Sequence, residues 1–229
     1  MTLSPQQTLY TLQTWFSPSF PVGAYTYSHG LENAFEQGLV TNAEQAVDWI
    51  GEIVASGNGF ADCVFALLAQ KAALAGNKAR LSEVAEFATA FSATKELRLE
   101  SEAQGAAFIE INQNLEANSG IQMLTDIWPG PYTYPVAVGA AAGGLKIKPQ
   151  ALATAYLHGF VSNLASALVR IVPLGQTDGQ KIIAQLGMAV ELAATNALTT
   201  NLDALATSTL MVDLCSMQHE IQYTRLFRS

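Results

Sequence analysis

Ser17-Pro18-Ser19-Phe20-Pro21-Val22-Gly23-Ala24-Tyr25-Thr26-Tyr27-Ser28-His29-Gly30-Leu31-Glu32 breaks a helical pattern twice with proline. It then passes through Gly23 and a run of hydroxyl and aromatic side chains, and re-enters a helix near Leu31. A loop carrying this much polar and aromatic chemistry is more often functional than a plain spacer. Helix, capped loop and helix again is also the pattern on both sides of it. Upstream, Ser4-Pro5-Gln6-Gln7 reads as a capping box with proline at the first helical position, and Leu9, Leu12 and Phe16 form the apolar stripe behind it. Downstream, a short helix carries Leu31, Ala34 and Phe35 and stops at Gly38.

The rest of the chain repeats this grammar. Thr41-Asn42-Ala43-Glu44 reads as a second capping box, opening a helix with Val47, Ile50 and Val54 on one face. After Ser56-Gly57-Asn58-Gly59 a helix is expected from about Phe60 to Ala75, then others over Ser82 to Phe91 and Thr94 to Ala117. Lys95, Glu96, Arg98, Glu100 and Glu102 read as a solvated charged face, as oppositely charged pairs at helical spacing normally do. Glu32 and Glu36 read as a solvated edge in the same way. Trp128-Pro129-Gly130-Pro131 is a loop. Pro135 starts a small-residue helix, Val136 to Leu145, whose glycines invite close approach of a neighbour. Pro149 and Pro173 bracket a long apolar helix, and further helices follow over Lys181 to Leu198 and Leu210 to Tyr223. No segment alternates with period two between hairpin turns. The expected fold is therefore all-α: one irregular helical bundle of about ten helices over residues 1–229, with 224–229 a mobile C-terminal tail.

Composition narrows the function. Half of the 229 residues are hydrophobic and only 13% are charged, so part of the surface is expected to meet a partner. A net charge of -8 excludes a phosphate-neutralising face, and with it nucleic-acid binding. The two cysteines, Cys63 and Cys215, make no disulfide framework, and no signal-like segment opens the sequence, so a cytoplasmic location is expected. The longest apolar run, Ala151 to Val172, holds His158, Asn163 and Arg170 and reads as a core helix rather than a membrane span.

Chemical motifs are scarce. Gly139 to Lys146 approaches a phosphate-binding loop, but its lysine is displaced and no Ser or Thr follows to hold magnesium. Thr26-Tyr27-Ser28-His29-Gly30 approaches a nucleophile elbow; a hydrolase using Ser28 stays open as an alternative, although that elbow needs a sheet. Cys215 and His219, four apart on a helix, are the candidate metal ligands, and leave a stand-alone nickel metallochaperone as another alternative. Arg170, in a core helix, is read either as lining an internal polar path or as pairing with a buried acid.

The opening loop resembles the signature of the urease accessory protein F (UreF) family, S-P-x-x-P-x-G-x-[FY]-x-[YH]-S-x-G-L-E. Lys95-Glu96-Leu97-Arg98 with Glu100-Ser101 and Gln104-Gly105 is similar to that family's T-x-E-x-R-x-E-S-x-x-Q-G segment. Pro135-Val136-Ala137-Val138-Gly139 resembles H-x-P-V-x-[FY]-G, with Tyr132 and Tyr134 near where the family often carries histidine. Asn163 to Gln180 and the terminal M-Q-H-E-I-Q-Y-T-R-L-F-R-S are the most specific likenesses. The resemblance implies a non-enzymatic, homodimeric all-α protein that joins the scaffold protein UreD (UreH) to the GTPase UreG for nickel delivery to apo-urease. It implies that the chain binds no cofactor stably, nickel and GTP being handled by the complex. On this reading Pro21, Gly23, Tyr25, Tyr27, Ser28, Gly30 and Glu32 form one partner-binding surface. Met217, His219, Glu220, Tyr223, Arg225, Leu226, Phe227 and Arg228 form a second, the tail that docks onto the scaffold.

Overall fold

The computed structural model describes residues 3–115 and 117–229. The fold is all-α, as expected, with no strand among the described residues. Its helices are α1 (Pro5–Trp15), α2 (Leu31–Glu36), α3 (Ala43–Ser56), α4 (Asn58–Leu74), α5 (Lys78–Phe91), α6 (Lys95–Leu115), α7 (Ser119–Ile127), α8 (Tyr134–Gly144), α9 (Pro149–Ile171), α10 (Gln176–Gln185), α11 (Gly187–Ala197) and α12 (Leu210–His219).

Local chemistry accounts for most of the boundaries. Ser4 caps α1 as expected: its hydroxyl accepts from Gln7 N at 3.2 Å, while Gln7 Oε1 accepts from Ser4 N at 2.9 Å. The cap of α3 lies one residue later than the spacing suggests. Asn42 Oδ1, not Thr41, accepts from the helix, and Gln45 rather than Glu44 reaches back to the Thr41 amide. Thr94 opens α6 by accepting from Leu97 N, and its hydroxyl also meets Ser216 Oγ of α12 at 2.7 Å. Helix α6 is described to Leu115, and Ala117, where its end was expected, is no longer helical; Glu116 between them lies outside the described residues. Helix α10 begins at Gln176, with Asp178 capping Gly175 N, and the expected Lys181–Leu198 helix is two helices meeting at Leu186.

The most enclosed helix is not the long apolar α9 but the short α8, buried on every side from Pro135 to Gly143. Helix α8 lies chiefly against α4, with α6 and α7 on its other flanks. Alanine and glycine at this contact let the two backbones approach closely. A Cβ on Gly139 would collide with the Ala66 carbonyl, and one on Gly143 would come within 2.6 Å of the Gln70 carbonyl. Gln70, buried on α4, donates from Nε2 to Ile147 O beyond the end of α8 and locks the pair lengthwise. Two stretches, Ala43–Leu74 and Pro149–Ile171, are long and apolar enough to cross a membrane. In their most apolar 18-residue windows 67% and 50% of the residues are buried inside the bundle, which makes both of them core elements here.

The backbone contact at α8 yields a test. Gly139→Ala should lower the free energy of unfolding by about 2 kcal/mol or more, because the added methyl has no space. Gly187→Ala, where a Cβ meets nothing within 4 Å, should be neutral or stabilising by about 0.5 kcal/mol. Urea unfolding midpoints of the two variants measure the contrast.

Candidate functional site

The loop after α1 is pinned at its start by aromatic packing. Trp15 and Phe20 both lie on the Phe108 ring of α6, at 5.2 and 5.6 Å between centroids. Gly23 takes a left-handed conformation and launches a single 3-10 turn, Ala24–Thr26. His29 and Gly30 are then both left-handed, with φ of 57° and 78°, which costs little at glycine but strains a histidine. Gly30 is also pressed against α12, where a Cβ would stand 3.0 Å from Ser216 N. This double turn sets the first residues of α2 facing inward, and Glu32 with them.

Glu32 holds the C-terminal segment. Its carboxylate accepts from Leu226 N at 2.6 Å and Phe227 N at 2.8 Å, and faces His219 Nε2 at 3.2 Å. On the far side of the ring, His219 Nδ1 lies 2.7 Å from Glu96 Oε2, and Glu96 Oε1 accepts from Arg225 Nη1 at 3.0 Å. One turn further along α6, Glu100 accepts from Ser229 Oγ at 2.7 Å and stands 3.6 Å from His29 Nδ1. Ser28 completes the clamp: its amide and hydroxyl both donate to the Ser229 carbonyl, and the Thr26 carbonyl accepts from Arg228 N. Charge-assisted bonds of this kind are roughly twice as strong as neutral ones.

These placements correct several expectations. Residues 224–229 do not extend away from the bundle; Phe227 and Ser229 are buried in their own chain. Glu96 and Glu100 belong to no solvated face and Glu32 to no solvated edge, since all three are buried, whereas Glu36 is exposed. Tyr27, Ser28, Gly30, Glu32 and His219 face inward and shape the surface without presenting it. Pro21, Gly23, Tyr25, Met217, Tyr223, Arg225, Leu226 and Arg228 are exposed, and Glu220 is half-buried. Ser28 is not placed as a nucleophile: its hydroxyl is fully buried and committed to the main chain. Cys215 and His219 share a helix face, but both ring nitrogens of His219 face carboxylates, and burial raises the Cys215 thiol's pKa.

Arg170 joins the two surfaces. Its guanidinium carbon lies 3.6 Å from the Tyr25 ring centroid and 4.3 Å from that of Phe227, so the cation is held between an aromatic ring of the loop and one of the tail. It pairs with π faces, not with a buried acid. Desolvation lowers its pKa and Tyr25 opposes that shift. Beside this junction α12 shows an apolar stripe: Leu210, Leu214 and Met217, continued by Ile221 at 87% exposure, with Tyr223 and Leu226 alongside. Beneath the loop lies a cavity of ≈ 290 Å³ reaching inward to Asp62 and His29.

The clamp predicts its own disruption. Glu32→Ala leaves two main-chain amides and a histidine without their acceptor and should destabilise the fold by about 3 kcal/mol. Trypsin should then cut after Arg225 many times faster than in the wild type, whereas Glu36→Ala should change stability by no more than about 0.5 kcal/mol.

Comparison with known proteins is concordant along the chain. The sequence model of the UreF family matches residues 40–187. Among curated proteins, the urease accessory protein UreF of Rhodopseudomonas palustris (strain HaA2) is 46% identical over 99% of this chain and 97% of its own length. That of Bradyrhizobium diazoefficiens is 44% identical over 96% of this chain and 91% of its own. The loop and the C-terminal segment lie outside the stretch matched by the family model, while the first of these two likenesses, at 99% of the chain, spans nearly all of both. The chain belongs to the UreF family of urease accessory proteins.

Proposed function

We propose that this chain is a non-enzymatic, cytoplasmic adaptor of urease maturation. It docks onto the scaffold protein UreD (UreH) through α12 and the C-terminal segment. It positions the GTPase UreG by way of the exposed loop residues Pro21, Gly23 and Tyr25, and so serves GTP-dependent nickel insertion into apo-urease. The observation that carries this reading is the apolar stripe of α12, which runs into Tyr223 and Leu226 without covering from its own chain. Exposed apolar stripes of this kind mark protein contacts, and the large aromatic and the flanking arginines Arg225 and Arg228 are the residue types that dominate contact energies. Membership of the UreF family supplies the maturation context. Nickel and GTP are handled by the assembly and not held stably by this chain. A symmetric homodimer is part of the proposal, supported by further exposed apolar side chains such as Met188 and Leu192 of α11.

Because Phe227 and Ser229 are buried in their own chain, deleting the tail would damage the fold as well as the surface. Substitution at exposed positions separates the two. The double variant Met217→Asp, Ile221→Asp should keep the helix content and melting temperature of the wild type. It should nonetheless lose co-purification with the scaffold protein from cells expressing the urease operon, and urease activity there should fall to background. Leu74→Asp, exposed at the end of α4, serves as the control and should change neither. Wild-type recovery of the scaffold by the double variant would contradict the assignment of this face.

A further inference from the structure

The cavity under the loop is lined by aromatic and acidic side chains together. Phe16, Tyr134, Tyr156 and Phe160 form aromatic walls, with Phe16 and Tyr134 each 5.7–5.8 Å from the Tyr156 ring. Asp62 and Glu100 bring two carboxylates, and among the described lining residues there is no lysine or arginine. Two deeply buried polar groups there lack partners. His29 is 5% exposed with neither ring nitrogen hydrogen-bonded, and Thr133 is 3% exposed with an unpaired hydroxyl. Buried polar atoms are nearly always satisfied, so these point into space meant to be filled. Water would answer the hydrogen bonds, and only His29, with Nδ1 3.6 Å from Glu100, stands beside the two carboxylates from within the described lining.

We infer that this cavity is a binding site for a small organic cation of the ammonium class, received by the aromatic walls and neutralised by Asp62 and Glu100. Its volume is at the lower edge of the usual range for small-molecule sites, about 300–1,000 Å³. Ring faces beside carboxylates are the surroundings that select an ammonium over a neutral isostere. The cavity opens among Pro21, Gly23 and Tyr25, the loop residues proposed to face the GTPase, but the inference rests on its lining chemistry and not on the adaptor reading. It meets the tail at Glu100, which lines the cavity and also accepts from Ser229.

The burial of Asp62 in this cavity shows in its carboxyl. Desolvation pushes its carboxyl up to about 7, against the opposing influence of His29 and of the Tyr156 hydroxyl, which donates to it at 3.2 Å. The other titratable groups facing Asp62 are Glu100 on α6, Tyr134 on α8 and its neighbour Cys63. Burial pushes the Cys63 thiol up to about 12 and raises both tyrosines, so all three stay neutral across the relevant range. His29 is faced in turn by Glu100 and Asp213. A cation favours the ionised form of Asp62, so its affinity should rise as pH rises through about 7 and level off above.

The test is an NMR saturation-transfer titration of the full chain with tetramethylammonium chloride at constant ionic strength. Sodium chloride and the neutral isostere tert-butanol are the comparisons. Saturable tetramethylammonium binding is expected, tighter by about tenfold or more at pH 8.5 than at pH 5.5, with the resonances of His29 shifting in step. Asp62→Asn should weaken it by about tenfold, and Asp203→Asn, on the exposed surface, should not. Should Asp62→Asn fail to fold, the wild-type pH dependence and the His29 shifts decide alone. No saturable binding would mean that the cavity holds water only. Equal response to tert-butanol, or binding indifferent to pH, would mean an apolar site without cation selectivity. Each of these results would overturn the inference.

Discussion

A carboxylate buried at the first turn of α2 needs partners, and Glu32 finds them in the main chain of a segment nearly two hundred residues away. Those amides could otherwise be satisfied by water, with the tail lying free. Placing them on Glu32 makes the ending of the chain part of the bundle. His219 relays the same constraint to Glu96, and Glu96 to Arg225, so loop, α6, α12 and tail share one polar seam. The left-handed pair His29 and Gly30 is the local strain that aims α2 so that this seam can form. Arg170 repeats the coupling on the outside, between Tyr25 and Phe227.

The bundle behind the seam is built by different physics. Helices α4 and α8 meet through backbone and small side chains, with almost no polar content apart from Gln70. Interior contacts of this kind are close-packed and of low compressibility. A rigid apolar half thus carries a polar seam that presents an exposed apolar stripe at its rim. Ser28, Cys215 and His219, the residues with chemical potential, are all consumed by structure.

Much of this architecture was readable from spacing alone. Proline in the first turn of α1, α8 and α9, the cap at Ser4 and the apolar rows behind them gave class and element order before any contact was known. The charged start of α6 reads as a wet face because Lys95, Glu96, Arg98, Glu100 and Glu102 mix both signs, with Arg98 and Glu102 four apart. A signal against that reading existed: Glu96, Glu100 and Gln104 continue at intervals of four into Phe108 and Asn112, a row that is buried throughout. The tail was expected to be mobile because what holds it comes from Glu32 and Glu96, partners that no local pattern links to it. Helix α7 went unrecognised, its Asn118 cap lying close behind the long α6. The cavity was beyond sequence reading, since its walls come from loop, α4, α6, α8 and α9 together.

The central claim is that the exposed rim of this seam is where the maturation partners bind. Hydrogen-exchange mass spectrometry tests it most directly, comparing the isolated chain with the same chain co-purified with the scaffold protein and the GTPase. The account predicts added protection in peptides covering residues 17–32 and 210–229, with α4 and α8 equally slow in both states. Protection confined to α10 and α11, with the loop and α12 exchanging as in the isolated chain, would contradict it.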